Sequence, residues 1–377
     1  MRVLLAFDKF KDALTARQAC DIAAAALCGK HPDWPIDTCP LTDGGEGFCE
    51  TLAHAVGVKP ESARVTGPRG TPVDAPFVLV PAEKLPDAVR RSLHMERTVT
   101  LGIVGMAEAS GLALLASGER DPWHATTFGT GQLLRAAVNA GADRLLLGLG
   151  GSATNDLGLG ALAALGLQCL KPGAAPVAIP TPMTWPDITR LGGTVSLPPL
   201  FIACDVTNPL LGSRGATATF GPQKGLAAAD VPKLEARMAH MAMMLCHHFN
   251  RPDSLMDTPG TGAAGGIGFG LMAATGAQLV PGFDLVSDWL GLPEKLAAAD
   301  LVLTGEGRFD ATSLGGKGPG SIAAGARRLG KPVHVFAGSL GVEADWEHHA
   351  VTPPGMPLPE ALRRARELLA AAVRRVL

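Results

Sequence analysis

Carboxylates recur in this sequence beside glycine, each time just past a short apolar run. Asp8 stands with Lys9 and Lys11 after residues 3–7, and Asp43 and Glu46 sit in Thr42-Asp-Gly-Gly-Glu-Gly47. Asp156 closes Gly150-Gly-Ser-Ala-Thr-Asn-Asp156, Asp205 follows residues 200–204, and Glu306 and Asp310 flank Arg308. Grouped carboxylates can hold a divalent cation, and one of them can take a proton from a reacting hydroxyl. A single acidic strand end is an ordinary turn or cap. Five of them on one edge point to a shared site, because ligands of open α/β sheets bind outside the carboxyl ends of the strands. The glycines have a matching reason. Gly148-Leu-Gly-Gly-Ser152, Gly260-Thr-Gly-Ala-Ala-Gly-Gly266 and Gly315-Gly-Lys-Gly318 carry no Cβ where backbone N–H groups would approach an anion. Two of these loops precede expected helices, whose amino termini favour phosphate.

The elements that must position these residues alternate. Residues 3–7 are wholly apolar, as in a buried parallel strand. Thr15-Ala-Arg-Gln18 is a capping box, predicting a helix over 16–27. Residues 36–41 form the next expected strand, followed by the Asp43–Gly47 loop and a second helix. The same rhythm returns at 144–149, 200–203, 301–303 and 333–336, each an expected strand that ends at a polar, glycine-bearing loop. The spacing of Leu358, Leu362, Ala365, Leu369, Ala372 and Val376 predicts one closing helix with a single apolar face. Segments 64–80 and 97–104 read as strands, while 81–96 and 171–198 read as loops or hairpin excursions. The resulting expectation is a doubly wound α/β domain built from residues 1–63 and 285–377, with a mixed α/β domain, 64–284, inserted in it.

Composition excludes several classes. The 377 residues are 47% hydrophobic and only 18% charged, with a formal net charge of −2. That balance offers no broad field for nucleic acid or an anionic membrane, so any anion must meet a local cluster of donors. Seven cysteines without a C-x-x-C pair, most of them in apolar runs, read as buried thiols of a reducing compartment. No run approaches the ~18 apolar residues of a membrane span, and a cytoplasmic location is expected.

Familiar nucleotide signatures fail in detail. Gly260, Gly262 and Gly265 fit G-x-G-x-x-G, but Pro252 and Pro259 interrupt the residues where a strand should feed it. Gly148, Gly150 and Ala153 do follow a strand, yet no acid stands about 20 residues on to hold a ribose. Gly316-Lys317 is followed by Gly318, which breaks the Walker pattern, and no H-R-D or D-F-G set is present. His240, His247, His248 and the late-loop pair His348-His349 read as surface or packing histidines, without a complete metal-ligand set. His124, in the polar, glycine-bearing loop Asp121-Pro-Trp-His-Ala-Thr-Thr-Phe-Gly-Thr-Gly131, is expected to approach the site.

Six motifs then occur in an order that resembles the bacterial glycerate kinases. They are Asp43-Gly-Gly-Glu-Gly47, Gly150-Gly-Ser-Ala-Thr-Asn-Asp156, Cys204-Asp-Val-Thr-Asn-Pro-Leu210, Phe220-Gly-Pro-Gln-Lys-Gly225, Gly262-Ala-Ala-Gly-Gly266 and Thr304-Gly-Glu-Gly-Arg308. The resemblance extends from Val3 to about Gly338. It implies ATP, Mg²⁺ and D-glycerate, with 2-phosphoglycerate as product. It also implies a flavodoxin-like doubly wound parallel sheet joined to a mixed domain of restriction-enzyme-like topology. On that reading Asp43, Asp156 and Lys11 are expected to be catalytic. Asp8, Arg69, Ser152, Asn155 and Arg308 are expected at the substrate, and Gly150, Gly151, Gly265, Gly266, Lys224 and Lys317 at the nucleotide. Glu46, Asp205, Glu306 and Asp310 are the expected metal carboxylates. Closure of the two domains would exclude water from the reacting groups.

The sequence departs from the family pattern at Lys9, where a hydroxyl residue is usual, and at Thr312, where Gln is usual. Two other readings stay open at this point: a nicotinamide-dependent oxidoreductase acting on a small hydroxy acid, and a non-catalytic nucleotide sensor. No nucleic-acid or membrane partner is expected, and a homodimer is left open.

Overall fold

The computed structural model describes residues 1–314, 318–342 and 346–377, with the side chains of 312 and 314 outside the description. In chain order its strands begin with β1 (Val3–Phe7), β2 (Ile36–Thr38), β3 (Glu61–Thr66), β4 (Pro72–Pro81), β5 (Thr100–Gly105) and β6 (Arg144–Gly148). They continue with β7 (Gln168–Leu170), β8 (Arg190–Gly192), β9 (Leu200–Ala203), β10 (Gln278–Val280), β11 (Leu301–Phe309), β12 (Val333–Leu340) and β13 (Glu347–Ala350). The chain divides into two compact units, Met1–Asp43 with Val286–Leu377, and Gly44–Leu285.

The first unit holds a five-stranded sheet in the order β13-β12-β11-β1-β2, parallel throughout. Counted within the unit this is 2-1-3-4-5, the doubly wound order of the flavodoxin type. Val3, Leu5 and Phe7 alternate onto one face, where they are buried with residues of the helices Ala16–Cys28 and Ala365–Val376. Burying a side chain such as Ile22 or Leu27 there contributes roughly 1.5–3 kcal/mol. The first helix starts where the sequence places it. Thr15 Oγ1 accepts from Gln18 N at 3.2 Å, and Gln18 Oε1 accepts from Thr15 N at 3.0 Å. The helix Gly318–Arg328 packs against β1, β11 and β12.

Three expectations need correction in this unit. β11 and β12 run on through 304–309 and 337–340, which read as loops. Their glycines mark close strand approach, since a Cβ on Gly305 would lie 2.0 Å from the Phe336 carbonyl oxygen and one on Gly338 would lie 2.4 Å from that of Gly307. The closing helix is broken at Arg364 into Leu358–Arg363 and Ala365–Val376. His348 and His349 lie on β13, a short edge strand whose Glu-His-His-Ala sequence carries no apolar alternation to reveal it.

The second unit is mixed. Its main sheet runs β10-β9-β6-β5-β4-β3, parallel from β10 to β5 and antiparallel across β5-β4-β3. β7 and β8 form a separate antiparallel pair. The helix Phe48–Ala55 belongs here, against β4 and β5. A core including Leu145, Leu147, Leu162, Ile202, Met238 and Phe269 is fully or almost fully shielded.

Candidate functional site

In the first unit the register of β1 on β11 assembles the carboxylates. Phe7 pairs with Gly305, so Asp8, just past the end of β1, comes beside Glu306, which lies within the extended β11. Asp8 N donates to the Gly305 carbonyl at 2.9 Å, and Leu41 N donates to that of Phe7 at 2.8 Å, which carries Asp43 to the same edge. Lys9 Nζ reaches Asp43 Oδ1 at 3.4 Å. Asp310 lies beside Arg308, with Nε to Oδ2 at 3.3 Å, and its backbone N donates to Ser313 Oγ at 3.1 Å. Lys11 is exposed on the loop after β1.

Burial, reinforced by neighbouring carboxylates, raises the pKa of two of these acids, Asp8 and Glu306. Burial pushes the Asp8 carboxyl up to about 7, aided by the charges of Asp43 and Glu306 and opposed by the amide and ammonium of Lys9. Burial likewise lifts Glu306 to about 7, aided by Asp310 and Asp43 and opposed by a hydrogen bond from Ser313. Glu306 Oε1 is buried and has no hydrogen-bond partner. A crowded carboxylate group with an orphaned, shielded oxygen suits an incoming cation or donor.

The second unit treats its acids differently. Asp156 is fully enclosed, and four donors occupy its oxygens. Thr127 gives its N at 2.8 Å and its Oγ1 at 2.9 Å to Oδ2, Gly160 N reaches Oδ2 at 3.3 Å, and Gly158 N reaches Oδ1 at 3.1 Å. Burial raises its pKa, and those four bonds oppose the rise. Lys224 is also enclosed and donates from Nζ to the Thr154 carbonyl at 2.6 Å. Burial pulls its pKa down to about 7, against the charge of Asp156. Asn155 Nδ2 donates to Thr217 Oγ1 at 3.0 Å, while Asn155 Oδ1 and Thr154 Oγ1 are buried without partners. Asp205 accepts from Phe283 N with both oxygens at 3.0 Å, at the start of the helix Gly282–Trp289.

The glycine loops pack on one another. A Cβ on Gly150 would lie 2.4 Å from Gly45 N, and one on Gly151 would lie 2.6 Å from Glu46 Oε1. A Cβ on Gly265 would lie 2.0 Å from the Thr154 carbonyl oxygen, at a φ of 75°. Leu157 N donates to the Gly265 carbonyl at 3.0 Å, locking the 262–266 turn onto the 150–156 loop. Gly266 likewise has positive φ and packs against Leu157 and Leu210. These glycines therefore serve close backbone approach between loops, a role that sequence does not separate from anion approach. Ser152 is buried and bridges to Gly111.

Arg69 is engaged within the second unit. Its Nη1 donates to the Glu119 carbonyl at 3.1 Å and lies 3.4 Å from Asp121 Oδ2, the oxygen that also meets His124 Nδ1 at 2.6 Å. Lys317 lies outside the described residues.

The sequence matches the model of the glycerate kinase family over residues 3–377. It is 34% identical to a glycerate kinase of Halalkalibacterium halodurans, over 99% of this chain and 97% of that one. It is 35% identical to glycerate 2-kinase of Escherichia coli, over 90% of this chain and 86% of that one. A crystal structure from Salmonella typhimurium LT2 that carries the name glycerate kinase 2 superposes with a TM-score of 0.76 at 35% identity, covering 100% of this chain and 97% of that chain.

The chain belongs to the glycerate kinase family. It is a kinase, and a nucleotide is therefore one of its substrates. Among the described residues, no helix is long and apolar enough to cross a membrane. Two side chains of this family member escaped the sequence reading. Thr127 clamps Asp156 with both its N and its Oγ1, although Thr126-Thr127 stood in the loop noted for His124. Ser313 braces Glu306 and the Asp310 backbone, and only its place three residues after Asp310 hinted at it.

Proposed function

We propose that the enzyme transfers the terminal phosphoryl group of ATP to the 2-hydroxyl of D-glycerate, giving 2-phosphoglycerate and ADP with the help of Mg²⁺. The observation that carries this reading is the family match from residue 3 to 377, together with retention of each motif carboxylate along it. A relative at 35% identity bears the name glycerate 2-kinase, which supports the 2-position.

The acids of the first unit fit a divalent cation. Mg²⁺ takes one or two protein carboxylates and fills its remaining positions with phosphate oxygens and waters. Asp8 and Glu306, whose burial and crowding raise the cost of their charge and which a cation would relieve, and the orphaned Glu306 Oε1 match that demand. When bound, the cation neutralises charge on the phosphate oxygens.

The chain's own residues do the rest. Asp43, the most exposed acid of the group, receives the proton as the glycerate oxygen attacks the terminal phosphorus and the bond to the bridging oxygen of ADP breaks. Lys9 and Lys11 neutralise phosphate charge on the loop after β1. Arg308, 73% exposed at its side chain, presents its fork to the glycerate carboxylate. Asp156, Thr127 and Lys224 hold the 150–156 loop in shape, so its glycines and Ser152 keep their positions. Gly265 and Gly266 hold the facing turn. Steady-state ADP release tests the reading, with D-glycerate run beside L-glycerate, glycerol and no acceptor. Release that requires D-glycerate supports it; release indifferent to the acceptor, from folded enzyme, rejects it.

A further inference from the structure

The parallel pairing of β12 with β13 places His334 opposite Glu347 and Phe336 opposite His349. Residues two apart on a strand share a face, so His334, Glu347 and His349 gather on one side of the sheet. Phe336, on that same face, packs with its ring centroid 5.0 Å from that of His349 at a tilt of 34°, and belongs to the buried core. His334 Nδ1 lies 3.0 Å from His349 Nε2 and 3.2 Å from Glu347 Oε2. One ligand atom from each residue lies within 4.8 Å of the other two. Ligands about 2.0–2.1 Å from a tetrahedral Zn²⁺ stand roughly 3.3 Å from each other, close to the two measured separations. The neighbouring sequence of His348-His349 shows only part of this grouping. The missing partner, His334, is 15 residues away in sequence and one strand away in space.

We propose that His334, Glu347 and His349 form a second cation site, selective for a borderline transition metal such as Zn²⁺, that pins the edge strand β13 to β12. Two imidazoles and one carboxylate are the donor set such ions prefer, with the fourth position left to water. By register His349 lies level with Phe336 and Gly305, and the cluster occupies the two outermost strands on this side of the sheet, β12 and β13. Glu306 pairs with Ala337, the residue after Phe336, so its side chain falls on the opposite face of the sheet, and Asp8 follows β1, three strands away from β13. The site therefore stands apart from the phosphoryl-transfer carboxylates, and its role is to hold the strand.

The test uses full-length enzyme stripped with a chelator and kept in excess Mg²⁺, so that the carboxyl-edge acids are already occupied. Zn²⁺ alone is titrated against a chromophoric competitor, and thermal unfolding is followed in parallel. The expected result is one Zn²⁺ per chain at micromolar affinity and a rise in Tm of about 3 °C or more at saturation. His349→Gln should weaken binding about tenfold or more and remove the Tm rise, leaving glycerate-dependent turnover in metal-stripped, Mg²⁺-supplied enzyme unchanged. Should His349→Gln fail to fold, Glu347→Gln serves, since the Glu347 side chain is 71% exposed. No Zn²⁺ uptake, or uptake equal in wild type and Glu347→Gln, would overturn the proposal.

Discussion

The two units handle carboxylates in opposite ways. Asp156 is sealed from solvent and satisfied by four donors, with the enclosed ammonium of Lys224 nearby. Asp8 and Glu306 crowd each other and Asp43, sit with pKa values near 7, and leave one buried oxygen unpaired. A satisfied buried acid builds a loop. A frustrated group stores charge that a ligand can discharge. The family motifs mix both kinds, and the boundary between the units even falls inside Asp43-Gly-Gly-Glu-Gly47, leaving the acid on one side and its glycines on the other.

If that contrast is right, Asp43→Asn should lower turnover by about 10² to 10⁴ while Tm stays within a few degrees of wild type. Steady-state kinetics beside a melting curve reads both, and full turnover from folded enzyme would break the assignment. Asp156→Ala should do the reverse in emphasis. It strands Thr127, Gly158 and Gly160 without an acceptor and leaves Lys224 without its counter-charge, at a cost of about 3–5 kcal/mol in denaturant unfolding. Gly265→Ala probes the same framework through the backbone. A methyl 2.0 Å from the Thr154 carbonyl, at a positive φ, should cost about 2–4 kcal/mol.

The smallest effect has the most telling sign. The folded-state pKa of Glu306, about 7, lies above its unfolded value, so the folded protein holds the extra proton as pH rises from about 4.5. Ionisation then erodes stability progressively up to about pH 7, and the cost is complete above that. Glu306→Gln should therefore stabilise metal-free enzyme by about 1–3 kcal/mol at pH 8, and the gain should vanish near pH 4. The same variant should bind Mg²⁺ more weakly. Stabilisation that persists unchanged at pH 4 would contradict the crowding account.

Much of the framework was legible in the sequence because it is written locally. The Thr15–Gln18 capping box, the apolar run of β1 and the acid at its end are all contiguous signals, and each appears in the fold. What was hidden depends on residues far apart. Thr304–Arg308 reads as a loop by composition, yet its glycines let β11 lie against β12, which only the partner strand reveals. Asp156 and Asp43 look alike as acids beside glycine. Enclosure by Thr127, Gly158 and Gly160 separates them, and no spacing rule carries that. β13 escaped because a short edge strand of polar residues has no apolar period, and the His334–His349 pair escaped with it.

The most direct test of the central claim is proton-coupled phosphorus NMR of the purified enzyme turning over Mg²⁺-ATP and D-glycerate. A new phosphomonoester doublet, split by the single proton on C2 and growing in step with ADP, is the predicted result. A triplet from a C3 methylene would contradict the 2-position. An ATP spectrum that stays unchanged would contradict the kinase reading of the site.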